Sequence, residues 1–109
     1  MNLFRVEFKV RPAIGHARYW EIQFAFLYLW VFDTTVDQAV QRASSILNYL
    51  PFERAASGVR VILTDGLTEI APLAAGTESA RTCGFSCLLA EAPTGTDEDQ
   101  FLKEDYWIG

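Results

Sequence analysis

Histidine is almost missing from this chain: His16 is the only one in 109 residues. One imidazole cannot supply a multi-histidine metal set. No spacing holds Glu7 or Glu21 beside it as an acid–base partner, so a solvated loop position is the simplest reading. Cysteine is scarce as well, with Cys83 and Cys87 forming a C-x3-C pair. Along a strand that spacing spans about 13 Å, whereas a disulfide needs Cα atoms within about 7 Å. Zinc would need two further ligands, which leaves buried structural thiols. The chain has no G-x-S-x-G, no glycine loop of the kind that cradles phosphate and no nucleophile signature. Asp65 has only the residue type of a catalytic carboxylate, and its place in an Asp-Gly turn accounts for it. No catalytic residue, metal site or cofactor is nominated.

Long apolar runs are lacking too. The longest runs from Phe24 to Phe32, less than half of the roughly 20 residues that a spanning helix requires. At the N-terminus Leu3 to Arg11 alternates apolar residues with Arg5, Glu7, Lys9 and Arg11, so it has no continuous hydrophobic region of the kind a targeting signal carries. The expectation is a cytoplasmic protein without membrane contact.

Charge is balanced over most of the chain and lopsided at its ends. The net charge of -5 arises in the last nineteen residues, where Glu91, Asp97, Glu98, Asp99, Glu104 and Asp105 face only Lys103. The opposite end is basic, with Arg5, Lys9, Arg11 and Arg18 against Glu7. Such a pairing suggests an acidic segment lying near the basic ribbon of its own chain or of a partner. Four cations without interleaved exposed aromatics argue against nucleic acid.

What the chain has in abundance is aromatic surface. Tyr19 to Phe32 holds seven of the fifteen aromatic residues. Trp20, Ile22, Phe24, Phe26, Tyr28, Trp30 and Phe32 recur with period two, which predicts a strand. Leu3 to Arg11 predicts a second one, with Phe4, Val6, Phe8 and Val10 on its apolar face. Pro12 and Gly15 turn the chain between them. If the apolar faces coincide, Val10 lies opposite Trp20, Phe8 opposite Ile22, Val6 opposite Phe24, Phe4 opposite Phe26, and Lys9 opposite Glu21. That register leaves Leu27 to Phe32 beyond the end of the hairpin.

A helix follows from about Val36 to Leu50. Thr35 and Gln38 match a capping box, Asp33 and Asp37 suit the positive end of the dipole, and Pro51 stops it. Val36, Ala39, Val40, Ala43, Ile46, Leu47 and Leu50 form its apolar stripe, and the two alanines allow close approach to a sheet. After the loop FERAASG, Val59 to Thr64 reads as a short strand. Asp65-Gly66 is a hairpin turn returning the chain through Leu67 to Ala71. A last strand runs from Thr82 to Ala92, with Cys83, Phe85, Cys87 and Leu89 on one side. Thr96 and Asp99 can cap a short helix, and Phe101, Leu102, Tyr106, Trp107 and Ile108 give the acidic tail something with which to dock.

The expected architecture is therefore one α+β domain over residues 1–109: an antiparallel sheet of four to five strands with a long N-terminal hairpin, one main helix at about 36–50 on one face, and the order β-β-α-β-β-β. Residues 93–109 form an acidic-aromatic C-terminal segment, as a short helix or docked tail. In its layers this order resembles ferredoxin-like and other small α+β domains, an analogy that carries no function. The aromatic excess suggests a non-enzymatic interaction or assembly module, a homodimer joined through Leu27, Leu29, Val31, Phe32, Phe101, Tyr106 and Trp107, with room for an unidentified protein partner. The alternative is a cavity lined by Trp20, Phe24, Tyr28 and Trp30 that binds, or acts on, a small hydrophobic ligand.

Overall fold

A computed structural model describes residues 2–65, 85–98 and 100. Five elements follow in order: β1 (Asn2–Pro12), β2 (Ile22–Asp33), α1 (Val36–Leu47), β3 (Phe52–Leu63) and β4 (Phe85–Pro93). The strands form one antiparallel sheet in the order β3-β1-β2-β4, with α1 packed against one face. The α+β class and the long N-terminal hairpin are as the sequence predicts.

The register of that hairpin is not. Phe4 lies opposite Val31, Val6 opposite Leu29, Phe8 opposite Leu27 and Val10 opposite Ala25. Relative to the expected pairing the slip is an odd number of residues, and because side chains alternate with period two, an odd slip moves a whole strand's pattern to the other face. The face under α1 is therefore aliphatic on β2. Ala25, Leu27, Leu29 and Val31 join Phe4, Val6, Phe8 and Val10 in one buried cluster with Ala39, Ala43, Leu47 and Cys87. Phe24, Phe26, Tyr28 and Trp30 go to the opposite face, on which Arg5, Glu7 and Lys9 of β1 also stand. Lys9 is paired with Phe26, not with Glu21. Leu27 to Phe32 is not left over: it is flanked by Leu3 to Phe8 on one side and, up to Val31, by β4 on the other.

The physical reason lies in burial. The expected register assumed one wet face, as in a simple two-layer domain. Here both faces are dry, since Phe24, Phe26 and Trp30 are only 3%, 2% and 4% exposed. With both faces buried, apolar alternation no longer decides the parity. What decides it is residues 13–21, where Tyr19, Trp20 and Glu21, expected in the strand, turn instead: Tyr19 N–H donates to the His16 carbonyl at 3.1 Å, Glu21 N–H to Arg18 at 3.0 Å and Ile22 N–H to Arg18 at 3.2 Å.

The helix forms where its local signals place it. The Thr35 side chain accepts from the Gln38 N–H at 3.3 Å, but the Gln38 side chain pairs with the Thr34 hydroxyl instead of closing a reciprocal box. Arg42 ties the helix to the end of β2 through the Phe32 carbonyl at 3.3 Å and Asp33 at 3.5 Å. The helix ends at Leu47, and residues 48–50 continue as tight turns, Tyr49 N–H to the Ile46 carbonyl and Leu50 N–H to that of Leu47, both 3.0 Å. Val36 is exposed at its start.

β3 is longer than the sequence suggests. Phe52 to Gly58, the expected loop, belongs to the strand, and the pairing with β1 shifts between Phe8 and Val10. A register shift of this kind breaks the period-two pattern, which is why Ala, Ser and Gly there read as loop. On β4, Cys87 and Leu89 share one side, as expected, and face the helix-side core, where Cys87 is buried. Pro93 ends the strand, as its sequence position implied. The Gly66 half of the Asp-Gly turn, the return strand 67–71, Cys83 and the tail residues Phe101, Tyr106 and Trp107 lie outside the described residues.

Candidate functional site

The helix-free face carries the most unusual chemistry. Along β1, Arg5, Glu7 and Lys9 alternate in sign against the aromatic row of β2. The Arg5 guanidinium lies 5.7 Å from the Tyr28 ring centre and the Lys9 ammonium 5.0 Å from that of Phe24, contacts worth about 0.5–2 kcal/mol each when desolvated. Small Ala90 and Ala92 on β4 leave room for the Phe24 and Phe26 rings, which meet edge to face at 6.0 Å. Glu7 is 4% exposed and Lys9 6%. Glu7 is held by Arg5 at 2.8 Å and by Arg60 of β3 at 3.4 Å. Lys9 pairs with Glu98, and Arg18 with Glu91. At these two points the acidic C-terminal part meets the basic ribbon within one chain.

Burial pushes the Lys9 ammonium below its ordinary value of 10.5, and the Arg11 charge adds to the shift. The unfolded chain keeps that proton up to about pH 10.4, while the folded chain releases it earlier. Between the two values the unfolded state binds more protons, so this group makes stability rise with pH. Lys9→Met is expected to lack that rise. Near pH 7 it should equal the parent or exceed it by about 1 kcal/mol, because Glu98, half exposed, can return to water. Urea melts of both chains near pH 7 and pH 10 check this; an equal slope in the variant would remove Lys9 as its source.

A second region is built at the end of the sheet where β1 turns into β2. Gly15 adopts a left-handed φ of 100°, which opens the tight turns that follow. The connection is anchored on both flanks. Ala13 N–H donates to the Pro51 carbonyl at 3.0 Å, and the His16 ring packs on Phe52 at 5.0 Å. On the β4 side, the Thr94 hydroxyl donates to the Trp20 carbonyl at 2.9 Å, Thr94 N–H to that of Glu21 at 3.0 Å, and Gly95 N–H to the Gln23 side chain at 2.9 Å. Arg18 joins Glu21 and Glu91, which raise its pKa further and keep it charged. His16, expected to be free in solvent, is half-buried and accepts the Arg18 N–H on Nδ1 at 2.9 Å, a turn-closing role.

On this fixed backbone the Trp20 indole stands 85% exposed, edge to face with Tyr19 at 4.8 Å. Beside it a shallow groove of about 290 Å³ is lined by Arg11, Pro12, Tyr19, Trp20, Ile22, Gln23 and Thr94. The four residues expected to line one cavity are thus divided. Phe24, Tyr28 and Trp30 share the helix-free face, and Trp20 stands in the connection. Of the expected interface, Leu27, Leu29 and Val31 are buried under α1, while Phe32 is exposed. Sequence periodicity missed the exposure of Trp20 because it lies on the strand's period; the i, i+3 pair Arg18 and Glu21 was the signal of a turn.

Among the described residues no three His, Cys, Asp or Glu side chains come together as metal ligands would, and no helix is long and apolar enough to cross a membrane. Comparison with protein-family models, curated proteins and solved structures finds no match for this chain.

Proposed function

We propose that this chain is a cytoplasmic, non-enzymatic interaction module that forms a homodimer. The observation that carries the reading is the apolar end of the sheet opposite the Trp20 connection, where Phe32 (40%), Val36 (48%) and Leu63 (63%) are exposed. Phe32 closes β2, Val36 opens α1 and Leu63 closes β3, so three separate elements bring large side chains into water at one end. Phe32 continues the helix-free face and Leu63, opposite Phe4, the face under α1, so both faces of the sheet carry apolar side chains into water at this end, where a second copy can cover them. The aromatic tail, with Phe101, Tyr106 and Trp107, supplies further apolar groups that can cover a partner. β2 itself cannot lend an edge to a partner strand, since both its edges are occupied by β1 and β4.

Light scattering at micromolar concentration should return the mass of a dimer. Phe32→Glu with Leu63→Glu should shift it to a monomer with little loss of secondary structure, since both side chains are already exposed. A parent chain that remains monomeric would sink the dimer reading.

A further inference from the structure

We propose that the groove beside Trp20 is a docking site for an acidic peptide segment of another protein that carries a bulky apolar side chain. Shape and charge support this separately. The groove offers an aromatic wall in Tyr19 and the exposed Trp20, with Pro12 and Ile22, and its backbone is held before any ligand arrives by Thr94, Gly95 and Pro51. An exposed indole on a backbone already held in place is an anchor of the kind that dominates peptide recognition, since tryptophan has only two side-chain torsions to order.

Charge specifies the ligand. This basic ribbon meets carboxylates at three of its four cations: Arg5 pairs with Glu7, Lys9 with Glu98, and Arg18 with Glu21 and Glu91. Arg11 is the fourth. It is exposed, lies in the wall of the groove, and has no carboxylate within ion-pair distance among the described residues; Glu53, opposite it on β3, forms no ion pair with it. Gln23 and Thr94 already bond Gly95 and Trp20, so Arg11 is the groove's charged contact. A guanidinium next to an indole suits a carboxylate followed by a large apolar side chain.

The test uses the full chain and a short synthetic peptide alternating glutamate with tryptophan, alongside the same peptide with glutamine in place of glutamate, followed by calorimetry. The acidic peptide should bind at least about tenfold more tightly than the neutral one. Trp20→Ala should weaken it at least about tenfold, and Arg11→Gln should erase the preference for glutamate while the chain keeps its melting temperature. Equal affinity for the two peptides, no binding of either, or binding untouched by Trp20→Ala would each overturn the proposal. A fall from dimer to monomer in Trp20→Ala would place a second copy in the groove and overturn it as well. Because the homodimer surface is read at the other end of the sheet, this outcome and the failure of that reading are distinguishable.

Discussion

Phe8→Ala is expected to lower stability by about 4 kcal/mol, the scale of phenylalanine truncation in a core, which is a large part of the 5–15 kcal/mol that holds a domain together. Phe8 is fully buried, lies opposite Leu27 on one side and Val59 on the other, and has the Arg54 guanidinium 5.2 Å from its ring centre. A cavity there opens at the middle of the sheet directly beneath α1, where packing on three strands limits collapse. Urea unfolding of the variant gives the loss. The register gives a sharper form of the same experiment. Phe8→Ala and Leu27→Ala should be coupled by at least about 0.5 kcal/mol because their side chains meet, whereas Phe8→Ala and Phe26→Ala, on opposite faces, should be close to additive. Additivity in the first pair with coupling in the second would contradict the observed pairing.

Glu7→Ala is the second large effect, expected at about 2 kcal/mol. Removing one member of a buried ion pair strands the other, at a cost of about 3–5 kcal/mol when water is excluded. Here the groups that lose this contact are Arg5 and Arg60, whose side chains are 24% and 31% exposed, so solvent recovers part of that loss. Glu7→Gln keeps the volume and one acceptor and should cost about half as much. Equilibrium melts compare the two, and a loss below about 0.5 kcal/mol in Glu7→Ala would mean that Glu7 is redundant in holding the two arginines.

These two residues show what could be read from the chain alone. That Phe8 is core follows from the alternation of β1, and that α1 starts after Thr35 follows from a cap whose donors and acceptors are neighbours in sequence. Both are local facts. The alternation of Glu7 with apolar residues predicts a solvent-facing side chain, a rule that holds only when one face of a sheet is wet. Its burial depends on what the other strands bring to that face, which no local period reports. Ala90 and Ala92 are an example: read alone they are unremarkable residues of the last strand, yet their small size is what seats Phe24 and Phe26. The groove was less legible still. Trp20 fits the strand's period perfectly well, and only the hydrogen bonds of the turn, together with Thr94 far along the chain, remove it from the strand and turn it outward. Arg11, on the same ribbon, was visible as a charge, but that no carboxylate among the described residues pairs with it depends on where Glu98 and Glu91 go.

The anchored connection at residues 13–21 has a consequence for how this protein can vary over descent. Its ends are tied to Pro51 on one flank and to Thr94 on the other, so an inserted or deleted residue must break those ties or slide β2 along β1, and a slide by one position would exchange aliphatic and aromatic faces throughout. Substitution at Ile14, Arg18 or Trp20 meets no such penalty. The segment is therefore closed to changes of length and open to changes of side chain, so its binding preference can drift while the fold it belongs to is inherited intact.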